Sequence, residues 1–213
     1  MRVLVINPNS TASMTEKIGH AARAAANAGT EIIAVNPPHS PVSIEGYYDE
    51  ALCVPGILTL IQNAPTADAV IIACFDDTGL DAARCLTDRP VIGIGEAAYH
   101  FASMLANKFS VVTTLARSVP ALEHNLHRYG LAARCARVRS SEVAVGGLEH
   151  PGSGARGRIS AGNGPAGPAG RAGPRRRAAA RPPRRTPPPP ARPPRRREAP
   201  RRQPGQHPRG PCR

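Results

Sequence analysis

Val70-Ile71-Ile72-Ala73, followed at once by Cys74-Phe75-Asp76-Asp77-Thr78-Gly79, is the stretch that decides the fold. A β-branched run of this length, bounded by polar and turn residues, reads as a fully buried parallel strand. Open α/β sheets carry ligand chemistry just beyond the carboxyl ends of such strands. Cys74 therefore stands where a reactive thiol is useful. Asp76 or Asp77 is suited to cap a helix over 78–86, whose N-terminal dipole would favour thiolate over thiol. The competing reading is an inert packing cysteine, because free cysteines are among the most buried residues.

The same signal repeats along the first part of the chain. Val3-Leu4-Val5-Ile6, Glu31-Ile32-Ile33-Ala34-Val35, Ala69 to Ala73, Val91-Ile92-Gly93 and Ser110-Val111-Val112 are short apolar runs separated by helix-length stretches. This alternation predicts an α/β fold with parallel sheets and crossover helices. Helices are expected from Ser10 or Thr11 through Ala26, over 50–61 with Pro55 as a kink, over 96–105, and from Ser118 onward. A further strand is expected over 138–145.

Composition breaks near residue 150. Residues 1–150 carry 11 Lys+Arg against 14 Asp+Glu, whereas residues 151–213 carry 17 Arg against Glu198 alone, so the whole +13 charge comes from the tail. That tail is mostly Arg, Pro, Ala and Gly, without aromatic residues, Leu, Val or Lys. Such a segment buries too little apolar surface to offset its ordering entropy, and disorder or loose polyproline II is the expected state. Its arginines would bind nucleic acid without sequence preference, through counterion release. The composition also matches GC-rich DNA read in a shifted frame, which predicts a frameshift between Glu149 and Gly164.

No stretch of about 18 apolar residues is present to span a bilayer, and Met1-Arg2 leads directly into a strand, so a cytoplasmic location is expected. Five cysteines without paired spacing point to reduced thiols rather than disulfides or zinc. Cys53, Cys85 and Cys135 read as packing residues. The histidines show no metal-ligand spacing, so no metal is expected. Gly93-Ile94-Gly95-Glu96 only partly fits the dinucleotide fingerprint, since no acidic residue closes the next strand, and nicotinamide or flavin binding is disfavoured. Glu96 reads instead as a residue of a helix N-terminus at the rim of the crevice. Asn7-Pro8-Asn9-Ser10-Thr11 after the first strand and Thr113-Thr114 after the fifth offer amide and hydroxyl groups at strand ends. Two polar loops and a thiol would then converge on one crevice.

Five motifs taken together resemble the hydantoin racemases of the aspartate/glutamate racemase superfamily. They are Ile6-Asn7-Pro8-Asn9-Ser10-Thr11, Ser43-Ile44-Glu45-Gly46-Tyr47-Tyr48-Asp49, Ala73-Cys74-Phe75-Asp76-Asp77, Gly93-Ile94-Gly95-Glu96-Ala97 and Phe109-Ser110-Val111-Val112-Thr113-Thr114. The resemblance covers roughly residues 1–159. It implies a cofactor-independent racemase of 5-substituted hydantoins or allantoin, built from two pseudo-symmetric α/β domains that each supply one cysteine. It also implies homo-oligomers, Cys74 as the first catalytic cysteine, and Asn9, Ser10, Phe75, Thr113 and Thr114 around the substrate.

On that pattern residues 1–107 form a first domain, 108–159 an incomplete second domain, and 160–213 the tail. If the halves are repeats, Val5 corresponds to about Val111 and the partner of Cys74 falls near position 180. Arg175-Arg176-Arg177-Ala178-Ala179-Ala180-Arg181 stands there instead. Catalysis by this chain is expected to be impaired. Two other function classes fit the residues: a non-catalytic protein whose basic tail binds nucleic acid, and a single-cysteine carbon-acid lyase or decarboxylase.

Overall fold

A computed structural model describes residues 1–149 and Gly157. The Arg/Pro-rich stretch, position 180 and Cys212 lie outside the described residues, as do the tail's expected disorder and its nucleic-acid binding. Contacts group residues 1–168 as one unit, which holds every described residue.

Strand β1 (Arg2–Ile6) leads into helix α1 (Ala12–Ala25), then β2 (Glu31–Val35), α2 (Tyr47–Gln62), β3 (Ala69–Ile72), α3 (Leu80–Leu86), β4 (Val91–Gly93) and α4 (Ile94–Leu105). The four strands form one sheet in the order β2-β1-β3-β4, with every pair parallel. The chain thus leaves β1 toward β2 on one side, and β3 lies on the other. The carboxyl ends of β1 and β3 flank the topological switch point, where open α/β sheets leave a crevice. Strand alternation sends Leu4, Ile6, Val70 and Ile72 into a core with Cys53, Ile57 and Ile61 of α2 and Leu80 and Ala83 of α3. Helix α1 packs on β1 and β2.

A second, two-stranded parallel sheet follows, made of β5 (Phe109–Thr113) and β6 (Cys135–Ser140) with α5 (Val119–Arg128) between them. Two strands alone are marginal. Here a core of Val111, Leu122, Leu126 and Tyr99 of α4 supports them. Tyr99 meets Phe75 edge-on at 5.3 Å and stacks near Phe109 at 6.2 Å between ring centroids, so an aromatic group from each half fills the junction.

Several boundaries depart from the sequence-based expectations for local reasons. The helix expected over 78–86 starts only at Leu80, because Asp77 (φ 53°) and Gly79 (φ 74°) are left-handed and cannot belong to a right-handed helix. The strand expected over 138–145 is β6, which ends at Ser140. Glu142 turns left-handed at φ 54°, and Val145–Glu149 form a 3-10 turn. The helix expected over 50–61 begins three residues earlier and runs through Pro55. Cys53 is buried in the core, but Cys85 is exposed, since the inward positions of the short α3 are Leu80 and Ala83.

The Gly93 and Gly95 pair also has a role other than the fingerprint. The Asp77 carboxylate sits at the start of α4 and accepts hydrogen bonds from the N–H groups of Gly95 (2.9 Å) and Glu96 (2.7 Å). The chain's own anion occupies the place a pyrophosphate would take at that helix N-terminus. A Cβ on Gly93 would fall 2.1 Å from Asp77 Oδ1, and one on Gly95 would fall 2.3 Å from the Phe75 carbonyl. Gly95→Ala should therefore push the loop holding Cys74 away and destabilise the fold by about 1–3 kcal/mol, read by urea unfolding. An unchanged midpoint would show that α4 does not bear on this loop.

Candidate active site

Cys74 follows β3 at the switch point, and the peptides around it are pinned. Asp77 N–H donates to the Cys74 carbonyl at 3.0 Å, and Ala73 N–H to the Ile6 carbonyl at 2.7 Å. Asn125 of α5 donates its amide to the Asp76 carbonyl at 2.8 Å. Tyr129, next to the end of α5, donates its hydroxyl to Asp77 Oδ2 at 2.7 Å. The turn after β3 is thus held from α4 and from α5 at once.

A cleft of about 160 Å³ opens beside Cys74. A benzene-sized molecule fits a cavity of about 150 Å³, so a five-membered ring with a small substituent is the matching size. One wall is Asn7, Asn9 and Met14, a second is Thr113, Thr114 and Ser118, and Ala73 to Asp76 also line the cleft. Ile44 and Val145 close the rim. Glu45 ties that rim down, since its carboxylate pairs with Arg117 and accepts from the Val145 N–H at 3.3 Å.

The first wall is a locked amide network. Asn7 donates to Asn9 Oδ1 (2.9 Å) and Thr15 Oγ1 (3.0 Å), and Asn9 Oδ1 also accepts from the Thr11 N–H (2.9 Å), which starts α1. Asn9 Nδ2 meets only the Met14 sulfur, at 3.2 Å. A thioether is a weak acceptor, so this amide keeps donor capacity toward the cleft. The hydroxyls of Thr113, Thr114 and Ser118 have no hydrogen-bond partner among the described residues, and they supply donors on the second wall.

Electrostatics keeps the thiol protonated. Burial, then the neighbouring Asp76 carboxylate, pushes Cys74 up to about 12, although the Thr78 hydroxyl lies 3.5 Å from its sulfur. The expected preference for thiolate is therefore reversed. Helix α3 has only seven residues, begins beyond Gly79, and leaves Cys74 beside a carboxylate. Burial and then Asp77 push Asp76 up to about 6. Burial and then Asp76 push Glu50 of α2 up to about 7, and its Oε1 is buried without a hydrogen-bond partner.

Of the residues singled out from sequence, Asn9, Cys74, Phe75, Thr113 and Thr114 line this one cleft. Ser10 does not line it, and its N–H donates to the Pro41 carbonyl at 3.0 Å. Glu96 lies in the first turn of α4 and pairs with Arg84 at 2.6 Å. Cys135 lines a different cavity, with Leu126 and His127 of α5. Met14, Ile44, Ser118, Val145 and the carboxylate of Asp76 were not read as site residues. The adjacent acids after a buried strand were the available signal for Asp76. No group of His, Cys, Asp and Glu among the described residues forms a metal cluster.

This fold is that of a racemase family. A model of the Asp/Glu/Hydantoin racemase family matches residues 3–162, and the chain belongs to that family. It is 47% identical over 147 residues to a hydantoin racemase of Pseudomonas sp. (strain NS671), covering 68% of this chain and 59% of the relative. A hydantoin racemase of Rhizobium meliloti is 47% identical over 151 residues, covering 70% of this chain and 63% of the relative. Among solved structures, allantoin racemase from Klebsiella pneumoniae superposes with a TM-score of 0.73 at 46% identity, covering 75% of this chain and 66% of that one. Allantoin racemase from Pseudomonas fluorescens gives 0.74 at 40%, covering 76% and 70%. The chain spans about three-fifths of the length of the curated relatives it matches.

Two measurements check the electrostatics. Alkylation of Cys74, followed by peptide mass spectrometry, should still climb about tenfold per pH unit between pH 8 and 10, because a thiol near 12 is far from saturation there. A plateau by pH 9 would refute the buried-thiol account. Glu50 has a folded pKa above its unfolded value, so its contribution to stability is complete below about pH 4.5 and is lost as pH rises through about 7. Glu50→Gln should raise stability at pH 8 by about 1 kcal/mol, discounted for partial exposure, and leave it nearly unchanged at pH 4. Thermal unfolding at the two pH values reads the difference.

Proposed function

We propose that this chain is a cofactor-independent catalyst of proton transfer at C5 of a 5-substituted hydantoin or of allantoin, with Cys74 as its acid/base thiol. The observation that carries the reading is Cys74 at the switch point, in a cleft with two walls of hydrogen-bond donors. Removing the C5 proton sends its electron pair into the adjacent carbonyl, and donors aimed at that oxygen stabilise the enolate. Asn9, Thr113 and Thr114 are the donors we assign, with Phe75 against the ring. The small fraction of Cys74 present as thiolate takes the proton, and the thiol so formed gives it back. Inversion also requires an acid on the opposite face, the place of the second cysteine.

Among the described residues no second cysteine lines the cleft, and we propose that turnover is impaired for that reason. The division at 107/108, with an incomplete second domain over 108–159 and a frame-shifted tail from 160, belongs to the same proposal, as does a reducing, cytoplasmic setting. No helix of the described residues is long and apolar enough to cross a membrane. Phe101, Met104 and Leu105 of α4 are exposed, a face that supports association between copies.

A single enantiomer of 5-methylhydantoin in D2O tests the reading. Deuterium should enter C5 faster than in buffer alone, with optical activity lost more slowly than deuterium is gained. Cys74→Ala should cut the exchange by about 10²- to 10⁴-fold. Equal exchange by the two proteins would sink the proposal, and release of a new product would point instead to a lyase or decarboxylase.

A further inference from the structure

Among the described residues Asp76 is the one charged residue lining the cleft, and the proposed chemistry leaves its carboxylate unused. The residue is 8% exposed, and its backbone is fixed by Asn125. Its side chain has no hydrogen-bond partner among the described residues. Asp77 and Glu45 differ from it in this respect, whereas Glu50 of α2, outside the cleft lining, shares it. Asp77 is held by two backbone N–H groups and Tyr129, and Glu45 by Arg117 and Val145.

A buried carboxylate with open lone pairs carries a desolvation cost that a donor from a ligand would relieve. Among the described residues no Lys or Arg lines the cleft, so an anionic ligand would meet Asp76 without a counter-ion from them. The family's name covers two kinds of substrate, amino-acid carboxylates and neutral hydantoin rings. Only the second kind brings N–H donors without a negative charge.

We propose that Asp76 is the specificity-determining residue of this cleft: its carboxylate accepts a ring N–H of a neutral cyclic ureide and repels amino-acid carboxylates. The inference rests on the hydantoin reading given above. Acceptance places the ring N–H on the side of the thiol and the enolate oxygen toward the amide and hydroxyl walls. The same charge raises the thiol, so Asp76 couples recognition to the protonation of Cys74. Binding to the ionised carboxylate should weaken as pH falls through about 6. The titratable groups acting on this site are Cys74 and Asp77 on the same turn, Glu50 of α2 and Tyr99 of α4.

Ligand protection of Cys74 against iodoacetamide, read by peptide mass spectrometry on the full chain, tests this. The probes are 5-methylhydantoin, its 1,3-dimethyl derivative and L-aspartate. 5-Methylhydantoin should protect the native protein, and the dimethylated ring and aspartate should not. In Asp76→Asn, a nearly isosteric change, the half-protecting concentration of 5-methylhydantoin should rise at least about tenfold, the scale of one charge-assisted hydrogen bond. The gap between aspartate and hydantoin should narrow at the same time. A purely structural role would weaken all ligands alike and leave that gap unchanged. Equal protection of native and Asp76→Asn proteins by 5-methylhydantoin, or equal protection by the dimethylated ring, overturns the inference and leaves the hydantoin reading standing. No protection of the native protein by 5-methylhydantoin overturns the reading itself, and the inference with it.

Discussion

The Asp77 carboxylate is the tie on which the arrangement around Cys74 depends. It belongs to the turn after β3, caps α4, and accepts from Tyr129 beside α5. Burial leaves its pKa raised, and those three hydrogen bonds offset only part of that rise. Reaching all three partners forces Asp77 itself into the left-handed region, which aspartate tolerates better than most residues. The same geometry demands glycine at 93 and 95, where any side chain would run into the carboxylate or the Phe75 carbonyl. One side chain therefore links three elements that the sequence spreads over more than fifty residues, and it sets the direction in which the Cys74 loop faces.

The parallel α/β frame was legible because each strand is a short β-branched run whose ends carry their own punctuation. β2 and β4 fall on the residues expected from sequence. Cys74 was legible for a related reason, since strand ends at a switch point follow from strand order. The errors share a cause as well. Asp77 reads locally as a cap for the helix that follows it, and nothing nearby in sequence reveals that its real partners are the N–H groups of Gly95 and Glu96. The end of β6 depends on the left-handed Glu142, a backbone choice with no glycine to announce it. Ser10 looked equivalent to Asn9 in sequence, yet the turn sends its N–H to Pro41 while Asn9 faces Met14 and the cleft.

The electrostatics gives the cleft a definite character. A carboxylate without a hydrogen-bond partner and a protonated thiol stand together, with amides and hydroxyls supplying donors and no cation in the lining among the described residues. Such a site suits a neutral, polar ring that develops negative charge on one oxygen. It gives an anionic substrate little purchase. The turn that carries Cys74 is fixed by contacts from α4 and from the α5 region rather than by β3 alone.

We propose that residues 1–159 hold one competent half-site and need a further segment that brings a thiol to the opposite face. Joining them to the segment that follows the matched region in the Pseudomonas sp. (strain NS671) hydantoin racemase, in place of residues 160–213, tests it most directly. Chiral chromatography of a single hydantoin enantiomer should then show conversion to the racemate, abolished by Cys74→Ala in the same chimera. A soluble, folded chimera that protects Cys74 with hydantoin yet leaves the enantiomer unchanged would contradict the account.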